Sequence, residues 1–84
     1  MMNELVTLCN TNEHLATRYH WYLDNDVMHL IGNGITGTLS TTQRKSNVVE
    51  YELVIDGNVI VKDHIVDSDD VAYDVMKAIR KEIV

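Results

Sequence analysis

Val49-Glu50-Tyr51-Glu52-Leu53-Val54-Ile55-Asp56-Gly57-Asn58-Val59-Ile60-Val61-Lys62 decides how this chain of 84 residues folds. Val49, Tyr51, Leu53 and Ile55 are apolar, and Glu50 and Glu52 alternate with them, the period of two expected of a strand with one face on a core and the other in water. Asp56-Gly57-Asn58 then reverses the chain, and two registers compete. A two-residue Gly57-Asn58 turn sets Glu52 against Asp63, a like-charge pair that is unfavourable directly across a ladder. A three-residue loop with Asn58 in the left-handed region sets Ile55 opposite Val59, Leu53 opposite Val61 and Val49 opposite Ile65. Its other face pairs Glu52 with Lys62 and Glu50 with His64, so the sequence predicts the three-residue loop.

Upstream, Val27 to Gly32 and Ile35 to Thr42 form a second hairpin across Asn33-Gly34, a strong type I′ turn signal that sets Met28 against Leu39 and Leu30 near Gly37. Thr17 to Leu23 alternates in the same sense, and Asn25-Asp26 turns it back with Trp21 over Leu30. The polar stretch Thr41 to Asn47 reads as the connection to the Val49 hairpin. Downstream, Asp67 or Ser68 is placed as the N-cap of a closing helix, with Asp69 and Asp70 in its first turn and Lys77, Arg80 and Lys81 near its end, as the helix dipole favours. Ala72, Val75, Met76, Ile79 and Ile83 recur at helical spacing on one face. Residues 3–9 suit a short helix through Leu5, Leu8 and Cys9, although Leu5, Thr7 and Cys9 also suit a strand. The expected fold is α+β: an antiparallel meander of about five strands with a C-terminal amphipathic helix on one face, forming one domain over residues 1–84.

Composition narrows function by exclusion. The chain is 45% hydrophobic, has no Pro and carries a formal charge of −6. That balance opposes binding to nucleic-acid phosphate or anionic lipid, and no apolar run nears the roughly 20 residues needed to span a bilayer. Cys9 stands alone, so no internal disulfide can form, and the first residues lack a basic flank and apolar signal core; a cytoplasmic setting is expected.

Several motifs fail on context. Gly32-Asn33-Gly34-Ile35-Thr36-Gly37 fits GxGxxG, yet a dinucleotide site needs a helix to start at the glycines, and the β-branched residues that follow are poor helix formers. His14, His20, His29 and His64 show no metal-site spacing; His20 and His29, diagonal on the outer face beside Tyr22, are weak metal candidates that need a third ligand. Asp67, Asp69 and Asp70 lack the Gly and the distal Glu of a calcium loop. Ser40, Ser46, Ser68 and Cys9 sit in no nucleophile context, so no catalytic residue, enzyme activity or cofactor is expected. Arg44-Lys45 supplies two charges, too few for specific nucleic-acid binding.

One asymmetry remains. From Glu50 to Asp74 there are eight carboxylates and one formal base, Lys62. Glu50, Glu52, Asp63, Asp67, Asp69, Asp70 and Asp74, with Tyr22 and Tyr73 as exposed aromatic anchors, form the candidate partner-binding set. Helix capping accounts for Asp67, Asp69 and Asp70, and the turn for Asp56, leaving Glu50, Glu52, Asp63 and Asp74 as the outer-face acids without a local role. Being tiny, acidic and without a catalytic set, the chain resembles in broad character the small phage- or mobile-element-encoded inhibitors of nucleic-acid enzymes, anti-CRISPR and anti-restriction proteins among them. That resemblance is compositional and covers no alignable segment; it implies a non-catalytic inhibitor that docks on and occludes a basic partner by mimicking DNA. A second expectation is a structural or oligomerising module, a homodimer among the options, with an apolar or aromatic interface, and a third is a ligand or metal protein using the surface histidines.

Overall fold

The computed structural model describes residues 1–84. Helices α1 (Met2–Thr11) and α2 (Glu13–Ala16) precede strands β1 (His20–Asp24), β2 (Val27–Gly32), β3 (Ile35–Lys45), β4 (Val48–Ile55) and β5 (Asn58–Val66), and α3 (Val71–Ile83) closes the chain. The strands form one antiparallel sheet in the order β1-β2-β3-β4-β5, the expected meander with a C-terminal helix. α1 is the helical option for the N-terminus, burying Leu5 and Cys9.

Alternation divides the sheet into two faces. Trp21, Leu30, Met28, Leu39, Tyr51 and Leu53 point to one side and are buried with Leu5, Cys9 and Leu15 from the first two helices and Ala72, Val75, Met76 and Ile79 from α3. α1 lies against β1 and β2, α3 against β4 and β5, and the two helices touch each other, leaving a cleft on the covered side among Met2, Leu23, Thr41, Val49 and Val71 where α1 and α3 begin. Each fully buried Leu, Ile or Val in that layer contributes about 1.5–3 kcal/mol by leaving water. Tyr19 meets Trp21 edge-on at 6.0 Å between ring centroids. The Trp21 indole N–H is buried without an acceptor, the one such side-chain atom in the core.

Four details differ from expectation, each for a local reason. The last hairpin turns on two residues, Asp56 and Gly57, with φ of 50° and 83°, and Ile55 pairs with Asn58. The Asp56 carboxylate accepts the Thr36 N–H at 3.2 Å, which anchors the turn to β3. Val54 pairs with Val59 but Leu53 with Val61, so Ile60 is a bulge, and below it Glu52 faces Lys62 and Glu50 faces His64 as expected. The bulge restores the charge-compatible register and turns Val59 outward, where it is 58% exposed rather than apposed to Ile55 inside. Second, the polar stretch after Thr41 is not a loop: β3 runs to Lys45 and turns at Ser46-Asn47, with Lys45 opposite Val48 and a shift in register at Arg44. Third, the N-cap of α3 is Asp70, which accepts the Tyr73 N–H at 3.2 Å, so the helix begins later than Asp67 or Ser68 would set it. Asp67 instead has φ 53° and accepts Asn47 Nδ2 at 2.8 Å, which ties the start of the β5–α3 connection to the Ser46-Asn47 turn. Fourth, Glu13–Ala16 is a short helix capped by Asn12 that buries Leu15, and the strand read from Thr17 starts only at His20.

The sheet edges are guarded. On β1, Asn10 reaches across from α1 with its amide donating to Trp21 O at 2.8 Å and accepting from Trp21 N at 3.1 Å, taking the place of a neighbouring strand. β5 carries the bulge at Ile60, with Lys62 and Asp63 midway along it. Edge bulges, lysines and inward-facing charges are devices that prevent edge-to-edge pairing.

Candidate functional site

The sheet face opposite the helices is covered by nothing. Registers place five residues in one row across it, Tyr22, His29, Thr38, Val54 and Val59. Beside that row lie His20, Ile31 and Thr36. The next level the other way holds Asp24 with Val27, and Ser40 with Glu52 and Lys62; then come Thr42, Glu50 and His64, and finally Val48 with Val66. The face therefore has an aromatic and aliphatic part toward the Asn33-Gly34 turn and a charged part toward the Ser46-Asn47 turn.

The aromatic part is ordered by stacking. The Tyr22 ring lies 5.2 Å from His29 at 13° between planes, and 5.9 Å from His20 at 23°. Tyr22 is thus held between two imidazoles while 43% of it stays exposed, and Ile31 next to it is 49% exposed. A preordered aromatic with a polar tip beside aliphatic surface is the composition of an interface anchor. His20 and His29 have the diagonal placement expected, but no group of three His, Cys, Asp or Glu side chains on the chain is arranged to hold a metal ion.

The charged part is largely self-neutralised. Glu50 accepts Arg44 Nη2 at 2.9 Å, and this hydrogen bond, with the positive charge of Arg44, holds the Glu50 carboxyl below the usual carboxylate range. Glu52 lies 4.0 Å from Lys62. Arg44 is the residue that sequence reasoning missed here: read as a loop base, it sits at the irregularity of β3 that aims it at Glu50. The signal was present, because Thr42 and Glu50 fall opposite each other once β3 is extended.

The remaining candidate acids are not brought to this face. Asp63 pairs with Tyr51 across the ladder and so lies on the helix side at the β5 edge, not with Glu50 and Glu52. On the outermost strand its side chain stays 61% exposed, 3.5 Å from His64 Nδ1. Burial, joined by the negative charges of Asp63 and Glu82, raises the Tyr51 phenol. Asp67, Asp69, Asp70 and Asp74 gather where β5 passes into α3. There Asp74 has the local role it lacked in the sequence: it accepts Ser68 Oγ at 2.5 Å, pairs with Lys77 at 3.7 Å and sits in the first helical turn. Asp69 alone of the four makes no side-chain hydrogen bond or ion pair. Tyr73 belongs to α3, with Lys77 Nζ 4.9 Å from its ring centroid, so Tyr22 and Tyr73 serve different surfaces.

No helix is long and apolar enough to cross a membrane. The chain matches no protein-family model, no curated protein and no solved structure.

Proposed function

We propose that the protein is a non-catalytic binding module that engages a protein partner through the open face of its sheet, with Tyr22 as the anchor. The observation that carries this reading is the Tyr22 ring, fixed between His20 and His29 yet 43% exposed beside Ile31. An aromatic already held in one orientation loses little conformational freedom when it is covered, which favours binding. An edge-mediated interface is the weaker alternative, since Asn10 occupies the β1 edge and the bulge and charges interrupt β5.

Occlusion of a basic, nucleic-acid-binding partner is a second reading, favoured by one feature, the Asp67, Asp69 and Asp70 set at the start of α3. It is narrower than composition suggests, because Glu50 and Glu52 each have a base beside them and a neutralised pair projects little field. Affinity capture from the native cell separates the two. Tyr22→Glu with Ile31→Glu should abolish recovery of the partner while Asp67→Lys with Asp69→Lys leaves it intact; the opposite pattern favours the acidic set and rejects the open face.

A further inference from the structure

We propose that the partner of the open face is a second copy of this chain, packed face to face about a two-fold axis that runs along β3; this rests on the open face being the interaction surface. Charge is the first argument. The chain carries −6, yet the open face holds Asp24, Glu50 and Glu52 against Arg44, Lys45 and Lys62, three acids balanced by three bases with the histidines neutral. Two copies of an acidic protein repel over most orientations, and the nearly neutral face is where that repulsion is least.

Self-complementarity is the second. An axis along β3 exchanges β1 with β5 and β2 with β4. In the central row it brings Tyr22 over Val59 of the second copy, His29 over Val54 and Thr38 over its twin. One level on, Asp24 comes over Lys62 of the second copy, and Glu52 over Val27. In the central row Tyr22 and His29 each meet a valine, and Asp24, the acid of the face with no base beside it, meets a base. An axis across the strands would instead set β4 on β4 and bring Glu52 near Asp56 of the second copy, a like-charge approach.

Shape agrees. The strand on the axis presents Thr36, Thr38, Ser40 and Thr42, small residues that allow two sheets to approach at the ~10 Å spacing of aligned sandwiches. Five strands at ~4.8 Å span about 24 Å, and a face of that width and similar height buries on the order of 1,000 Å² in total, the lower end for a specific interface. The association is accordingly expected to be reversible. The helices remain outside, and Tyr73 and the Asp67–Asp70 set stay in solvent.

Sedimentation velocity on the intact chain from about 1 µM to about 500 µM tests this, the range in which a small interface passes from empty to filled. The wild-type protein should move from monomer to dimer across the series. Asp24→Lys and Lys62→Asp should each weaken the dimer several-fold, and the double exchange of both charges should recover it, with circular dichroism confirming that all four proteins are folded. A monomer at every concentration, or a dimer that the single changes leave alone or that the double exchange does not restore, overturns the self-association. In that event the capture experiment with Tyr22→Glu and Ile31→Glu still decides separately whether a different protein occupies the face.

Discussion

The two faces of the sheet are made from the same five strands, residue by residue in alternation, and they have opposite physics. On the covered side Trp21, Leu30, Leu39 and Leu53 are closed over by α1 and α3 and nearly inaccessible. On the other, Tyr22, Ile31, Val59 and Val66 stay between 43% and 58% exposed, set among threonines, histidines and paired ions. A residue's contribution to stability therefore depends on parity more than on hydrophobicity: Ile31 and Leu30 are neighbours in sequence and belong to different problems. The covered side specifies the fold, and the open side is free to specify a contact.

That contrast is sharpest in reactivity. Cys9 is buried and its thiol is pushed up to about 12. Because thiolate is the reactive form, modification by a disulfide reagent at neutral pH should be slower than for the unfolded chain by a factor of roughly 10³ or more, set by opening of the domain. Ready modification of the folded protein would show that α1 does not seal the covered face. Urea unfolding should next find that Trp21→Ala costs about 3–5 kcal/mol. Trp21→Phe should cost clearly less, since it also removes the indole N–H that has no acceptor.

At Gly37 the covered side leaves no room for a side chain. A Cβ there would come 2.5 Å from the Val54 carbonyl oxygen and 2.8 Å from Leu30 Cδ2, and the backbone oxygen cannot give way cheaply. Gly37→Ala should destabilise by about 1–3 kcal/mol; a neutral result would mean that the β3–β4 ladder adjusts more readily than a packed core allows. Tyr22→Ala, on the open side, should change stability by less than about 1 kcal/mol, the scale of a cross-strand pair, while removing the proposed binding anchor. A larger loss would make the His20–Tyr22–His29 stack part of the fold and not of a contact surface.

The smallest effect is expected at Glu50. Its folded carboxyl lies below its unfolded value because of Arg44, so its contribution is present above the unfolded value and is lost as pH falls through the folded one. Because the pair is exposed to water and salt, Glu50→Gln should leave the unfolding midpoint at neutral pH unresolved from wild type. The two proteins should also coincide on the acid side, where Glu50 is protonated and the pair is lost in the wild type as well.

The strand pattern was legible because turn chemistry and alternation agree. Asn33-Gly34 and Asn25-Asp26 form left-handed turns, and Met28–Leu39 and Trp21–Leu30 pair as read. At the last hairpin the same rules gave the right ladder through the wrong turn, since a bulge at Ile60 and a three-residue loop add the same one residue. Two irregularities of that kind, at Ile60 and Arg44, determined what the site became. The first turned Val59 out to the open face, and the second delivered Arg44 to Glu50. Neither has a propensity signature, because each follows from fitting charges and apolar residues across two strands at once. The acids misled for a related reason: Asp63 and Glu50 are close in sequence but differ in parity, and a charge count carries no parity.

Tyr22 and Tyr73 are equally exposed, at 43% each, on opposite surfaces. Hydroxyl-radical labelling followed by mass spectrometry, in dilute buffer and then with the protein in native-cell extract or at high concentration, uses one as the control for the other. Occupation of the open face should suppress oxidation of Tyr22 and leave Tyr73 unchanged. Protection of Tyr73 with Tyr22 still reactive would contradict the assignment of the open face and place the contact at the acidic start of α3.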